Sequence, residues 1–206
     1  LSDQLRRRAA VLREALDREA GIEEPIPPFA GTAQLQEDVP ADVAHPHSSG
    51  MWGPSVVIWI PHLRSPFNVG NIIRTAAAFG VAGVMVGEAV PELNHRRLKR
   101  ATMGAMEMVP VIRGEAADAA NLVGGTTAPV VALETGGTPI SHFTFPVTGI
   151  MVVGHEELGV PEEILKKCHQ AGTVASIPHD GPKRSLNVGV ATGIGLSWWQ
   201  AQGSTG

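Results

Sequence analysis

The sequence predicts an α/β domain with a mainly parallel sheet and flanking helices. Apolar runs of strand length alternate with helical patterns from Ser55 onward, the order that crossover helices impose on a parallel sheet. The first such run, Val56-Val57-Ile58-Trp59-Ile60, is apolar throughout rather than alternating, as expected of a strand covered on both faces. A third observation locates function. Polar segments follow the first, fifth and sixth runs, and open parallel sheets bind ligands beyond the carboxyl ends of their strands.

Taken in order, the chain begins with a helical pattern over residues 1–21. Leu5, Ala9, Leu12 and Leu16 share one face, Ser2 can cap the start and Gly21 can end it. The pattern carries Arg6, Arg7, Arg8, Arg13 and Arg18 along with Asp3, Glu14, Asp17 and Glu19. This reads as a solvated amphipathic helix docked on a body or partner; the alternative is an RNA-contacting arm led by Arg6–Arg8. Residues 22–54 are rich in Pro, Ala, Gly and Ser without a period and read as a linker or extension. His45 and His47, with no third ligand nearby, read as loop residues rather than a metal site. The start lacks both an initiator Met and a signal-type apolar core, so the chain is expected to begin inside a longer gene product.

The body, residues 55–206, follows. A helix is expected from Asn68 to Phe79, stopped by Gly80, then a second strand at Val84-Met85-Val86. A helix over Leu93–Ala101 carries Arg96, Arg97, Lys99 and Arg100. Val109-Pro110-Val111-Ile112 is a third strand whose proline predicts an edge or a strand start. A short helix at Ala116–Leu122 and strands at Val130–Leu133 and Ile150–Val153 come next. A helix at Pro161–His169, a sixth strand at Val174–Ile177 and a last helix from about Leu186 to Gln200 complete the pattern.

Composition narrows the possibilities. At 206 residues, 43% hydrophobic and 17% charged, the chain is long enough for one self-sufficient core. The 24 Gly and 16 Pro fall mostly between periodic segments. A net charge of −4 argues against a uniformly basic protein but leaves room for a local basic patch. The single cysteine, Cys168, allows no internal disulfide and no zinc cluster, and it fits a reducing cytoplasm. No apolar run approaches the ~20 residues of a membrane span. Neither a Gly-x-Gly-x-x-Gly fingerprint nor a phosphate-binding Gly-Lys-Ser/Thr loop is present.

The three strand-exit segments are Asn68-x-Gly70-x-x-x-Arg74, Gly154-x-Glu156-x-x-Gly159 and Ile177-Pro178-x-x-Gly181-x-x-x-Ser185-Leu186-Asn187-Val188. In order, spacing and context they resemble the three motifs of the SpoU (TrmH-type) RNA 2′-O-ribose methyltransferases of the SPOUT class. The likeness covers about residues 55–200, and Thr102-Met103-Gly104-Ala105 loosely resembles the family's Ser-Ala-Gly-Ala turn. The resemblance implies a C-terminal segment threaded into a deep trefoil knot, S-adenosylmethionine as methyl donor, a homodimer formed around the knot, and a ribose in structured RNA, tRNA or rRNA, as target. Methyl transfer of this kind requires no metal, and no membrane partner is expected. Two residues depart from the family's usual pattern: Gly189 stands where Ser is common, and His179 where Met is common.

Methyl transfer to a 2′-hydroxyl is an in-line displacement that needs positioning, a dry pocket and a destination for the hydroxyl proton. On the implied roles, Gly154, Ile177 and Gly181 form cofactor loops and Leu186 and Val188 apolar walls. Arg74, within an apolar helical stretch, is expected to be buried and to need an anionic partner. Because a guanidinium is a very weak acid, Arg74 suits binding a phosphate and stabilising a developing oxyanion better than acting as a base. Glu156 is expected to orient Arg74, Asn68 to hold the loop or the substrate backbone, and Ser185 to cap the last helix while Asn187 faces the ligand. Lys183, Arg184, Arg96 and Arg97 suit RNA phosphates. Structural readings compete with these: an Arg74–Glu156 ion pair, Glu156 as the N-terminal carboxylate of a helix beginning near Val160, pure capping by Asn68, Ser185 and Asn187, and plain solvent exposure of the cations. Two further functions stay open, a non-catalytic RNA-binding or assembly factor with this fold and a relative that methylates a base nitrogen.

Overall fold

A computed structural model describes residues 56–114 and 128–203. The amphipathic helix, the linker, His45, His47 and the short helix at Ala116–Leu122 lie outside the described residues. Six strands form one sheet: β1 (Val56–His62), β2 (Gly83–Ala89), β3 (Val111–Arg113), β4 (Val130–Pro139), β5 (Gly149–Val153) and β6 (Val174–Ser176). Their spatial order is β3-β2-β1-β5-β4-β6, and every neighbouring pair runs parallel. All six carboxyl ends therefore lie along the same edge. Connections from β1 step outward through β2 to β3, while β5 lies on β1's other side, so the order of progression reverses between β1 and β5. A reversal of this kind opens a crevice for a ligand.

Among the described residues, four α-helices flank the sheet: α1 (Pro66–Ala78), α2 (Arg96–Thr102), α3 (Glu162–Ala171) and α4 (Val188–Gly203). The period of two along β1 explains why both faces need cover. Val56, Ile58 and Ile60 point into a core with Val69, Ile72 and Ile73 of α1 and Leu196 and Trp199 of α4. Val57 and Trp59 point the other way, with Cys168 of α3. Trp199 is 1% exposed and stacks on Phe145 at 4.9 Å, whereas its neighbour Trp198 is 38% exposed. The buried Cys168 thiol, pushed up by desolvation, is an inert packing group.

Several element ends shift from expectation, and three of the shifts have a visible structural cause. α2 begins at Arg96 rather than Leu93 because His95 caps it, its Nδ1 accepting from Arg97 N–H at 3.2 Å. Pro110 precedes β3 rather than lying inside it, on the edge strand where a missing donor is tolerated. β4 runs on to Pro139, with its register against β6 jumping between Leu133 and Thr138. Residues 134–137 thus bulge out of the ladder at the carboxyl edge of the sheet.

Candidate active site

The turn from β1 into α1 is built first. Ser65 caps α1, its Oγ accepting from Asn68 N–H at 3.3 Å, and Pro66 at the first helical position presets the backbone. Asn68 is thereby fixed in the first turn with its side chain buried, 7% exposed. Gly70 faces α2; a Cβ there would lie 2.5 Å from Ala101 Cβ, so the glycine lets the two helices touch.

The loop after β5 closes on this turn. His155 and Gly159 pair antiparallel through two backbone bonds of 2.9 and 3.0 Å, and His155 Nδ1 accepts from Glu157 N–H at 3.1 Å. Gly154 is demanded by the ring so formed, since its Cβ would lie 2.1 Å from the Gly159 carbonyl carbon. The ring presents Glu156 to the β1–α1 turn. Its Oε1 accepts from Asn68 Nδ2 at 2.9 Å and Ser65 N–H at 3.2 Å, and its Oε2 from Arg64 N–H at 3.3 Å. Partial burial alone would push this carboxyl up. The hydrogen bonds from Asn68, its own backbone N–H, Arg64 and Ser65 outweigh that and hold it below its ordinary range.

The third segment joins through Asn187. Its Nδ2 donates to Asn68 Oδ1 at 3.0 Å, while its Oδ1 accepts from Gly189 and Val190 N–H at 2.9 and 3.3 Å. One asparagine therefore caps α4 and ties it to α1. The result is a relay, Glu156–Asn68–Asn187, that links all three strand exits across 88 and 119 positions of sequence.

Several expectations need correction. Arg74 is exposed, not buried: helical spacing sends Ile72, Ile73 and Ala76 into the core and turns Arg74 outward. It forms no ion pair with Glu156; its Nη1 donates to Met103 Sδ at 2.8 Å. Glu156 is not a helix N-terminal carboxylate, because α3 starts later, with Glu162 and Glu163 in its first turn. Asn187, not Ser185, caps α4, and Ser185 is exposed. Gly189 is buried, and a Cβ there would lie 3.2 Å from Asn187 Oδ1 and 3.4 Å from Asn71 Cβ of α1, so the position is close-packed against the α4 cap. His179 folds back on its own loop, with Nδ1 3.0 Å from the Ile177 carbonyl oxygen.

The remaining expected residues divide in two. Ile177 and Val188 pack partly against the core, whereas Gly181 and Leu186 are exposed. Lys183 and Arg184 are exposed before α4, and Arg96 and Arg97 are exposed on α2. Arg74 and Asn187 line the same open cleft of about 600 Å³, with Asn71, Thr75 and Val190.

Sequence reading missed one group, the β4 bulge. Glu134 Oε2 accepts from Val160 N–H at 2.9 Å, anchoring the end of the Gly154–Gly159 ring to β4. The signal was present in Gly136-Gly137 within a strand pattern, since glycine pairs there mark bulges or close backbone approach.

A parallel α/β domain with polar loops gathered at the carboxyl edge is the architecture of known RNA-modifying enzymes. The fold matches an AdoMet-bound rRNA methyltransferase from Sinorhizobium meliloti with a TM-score of 0.63 at 29% identity, covering 71% of this chain and 56% of that one. It also matches a structure that addresses 2-OH methylation of C/U34 on tRNA, with a TM-score of 0.61 at 28% identity, covering 74% of this chain and 99% of that one. The chain belongs to the SpoU rRNA Methylase family, whose profile matches residues 55–197. Among curated relatives, an uncharacterized tRNA/rRNA methyltransferase of Mycolicibacterium gilvum is 31% identical over 202 residues, covering 91% of this chain and 59% of that protein. One of Archaeoglobus fulgidus is 30% identical over 148 residues, covering 70% of this chain and 63% of that protein. The chain spans about half to three fifths of the length of the curated relatives it matches.

Proposed function

We propose that this chain is the catalytic domain of an S-adenosylmethionine-dependent RNA methyltransferase that modifies a ribose 2′-hydroxyl in structured tRNA or rRNA. The observation that carries the reading is the Glu156–Asn68–Asn187 relay, which brings three strand exits together beside the exposed cation Arg74.

The loop after β6 fits the donor. Among the described residues, positions 178–186 make no backbone–backbone hydrogen bond, which leaves main-chain donors and acceptors for an adenosyl group. Leu186, 37% exposed, offers an apolar wall beside them. Gly154, Ile177, Gly181, Leu186 and Val188 are the residues assigned to hold it. When bound, S-adenosylmethionine supplies an electrophilic methyl on a sulfonium.

The chain's own residues do the rest. Arg74, exposed and always charged, binds an RNA phosphate and stabilises negative charge growing on the ribose oxygen. Glu156, held ionised by its donors, is a positioning residue: it fixes Asn68, which fixes the start of α4 through Asn187. Ser185, exposed one loop position before Leu186, is free to meet the ribose. Lys183, Arg184, Arg96 and Arg97 supply phosphate contacts. We further assign the threading of α4 to a trefoil knot, with a homodimer formed around it. An RNA substrate fits a cytoplasmic setting.

The test is transfer of labelled methyl from S-adenosylmethionine to unfractionated tRNA and rRNA, followed by nuclease digestion and mass spectrometry. A 2′-O-methylated nucleoside is expected. A methylated base would move the activity to the nitrogen-modifying relatives, and no transfer with no donor binding at millimolar concentration would leave a non-catalytic binder.

A further inference from the structure

Phe67 lies in the first turn of α1, next in sequence to Asn68, and has no role in the chemistry above. Among the described residues, Phe143 and Phe145 are buried and Phe79 packs against the core, whereas Phe67 is 60% exposed. A single exposed apolar side chain is ordinary. The backbone beneath this one is not. Ser65 caps α1, Pro66 fixes the preceding torsion, and the Arg64 and Ser65 N–H groups are both tied to Glu156. Asn68, next in sequence, is locked between Glu156 and Asn187. The ring is thus carried on a turn whose backbone is held from both sides, and it is left facing solvent. Arg64, three residues before it, is exposed as well. Leu158, 76% exposed, projects from the same ring that carries Glu156.

An aromatic face on a fixed backbone, beside exposed arginines, is how proteins hold unpaired bases: the ring stacks at little entropic cost while the cations take the phosphates. We propose that Phe67 is a substrate-binding residue that stacks on an unpaired nucleobase at or next to the methylated ribose. This rests on the RNA methyltransferase reading above and extends it. The substrate class becomes RNA whose target nucleotide is single-stranded or splayed out of its helix, because a paired base offers no free face.

Two measurements test it. In the first, the protein is irradiated at 254 nm with unfractionated tRNA and with rRNA, and the crosslinked peptides are sequenced. A crosslink on the peptide carrying Phe67 is expected. In the second, methyl transfer is followed for Phe67→Ala, Phe67→Leu and Phe67→Tyr. Alanine and leucine are expected to raise the KM for RNA about tenfold with donor affinity unchanged, and tyrosine to recover most of the loss. Leucine separates stacking from mere apolarity. Wild-type RNA KM in Phe67→Ala overturns the proposal, as does a change of oligomeric state in that variant, which would place a second copy over the ring. If the wild-type protein methylates neither RNA, the functional reading fails on its own, and the presence or absence of the Phe67 crosslink still decides whether the ring meets a base.

Discussion

The side-chain amide of Asn68 donates to Glu156 at 2.9 Å and accepts from Asn187 at 3.0 Å. A single buried asparagine therefore joins the exit of β5 to the start of α4, and both donor and acceptor of its amide are used. Buried polar groups satisfied in this way are costly to disturb, because removing one partner strands the others.

Glu156→Gln should be destabilising. The substitution replaces an acceptor of several N–H groups with one that also carries an NH2, and about 1–3 kcal/mol is expected. The pH dependence has a definite sign. The folded carboxyl titrates below its ordinary value of 4.5, so its stabilisation is complete above that pH and is lost as pH falls through the folded value. Urea titrations of both proteins should give a difference that is constant near neutrality and shrinks in acid. A difference that grows below pH 4.5 would contradict the hydrogen-bond assignment.

Arg74→Ala should leave stability within about 0.5 kcal/mol, since the side chain is exposed and its contact is a thioether. Methyl transfer should fall at least about 10²-fold, the scale of losing one transition-state donor. Calorimetry with S-adenosylmethionine should be unchanged. Wild-type turnover in this variant removes Arg74 from the chemistry.

Asn187 separates capping from bridging. Asn187→Ala loses both and should cost about 1 kcal/mol through the cap alone, with a further loss from the orphaned Asn68 carbonyl oxygen. Asn187→Asp keeps the acceptor for Gly189 and Val190 but has no donor for Asn68. Thermal melts should show aspartate recovering part of the helix stability, while methyl transfer stays low. Full activity in the aspartate variant would show that the bridge to Asn68 is dispensable.

The two motif glycines should behave differently. Gly154→Ala puts a Cβ 2.1 Å from the Gly159 carbonyl carbon and should cost about 1–3 kcal/mol or prevent folding. Gly181→Ala meets nothing within 4 Å, so its melting temperature should match wild type. Weakened S-adenosylmethionine binding with an unchanged melt is expected for Gly181→Ala. Unaltered binding would remove this glycine from the cofactor loop.

Much of the fold was legible because its signals are local. The run Val56–Ile60 is apolar on both faces, and the structure covers both. Asn68–Phe79 carries its own helical period and its stop at Gly80, and the helix found, Pro66–Ala78, starts two residues earlier behind the Ser65 cap and ends one residue sooner. Motif spelling at three strand exits pointed to the family, and the profile match agrees. Local composition misleads at Arg74, where an apolar neighbourhood in sequence does not amount to burial. The helix turns by about 100° per residue, so residues on either side of a buried isoleucine can face water.

The amino-acid sequence by itself determined which segments become strands and helices, and that polar groups would gather at strand exits, because backbone preference and hydrophobic period act within a few residues. Only the tertiary structure decided that Glu156 binds Asn68 and not Arg74, that Asn187 rather than Ser185 caps α4, and that Glu134 anchors the ring after β5. Those choices depend on β5 lying between β1 and β4, which brings together groups that are 26 to 119 positions apart in the chain. No local propensity encodes such a neighbourhood; it exists only once the sheet has set the order of its strands.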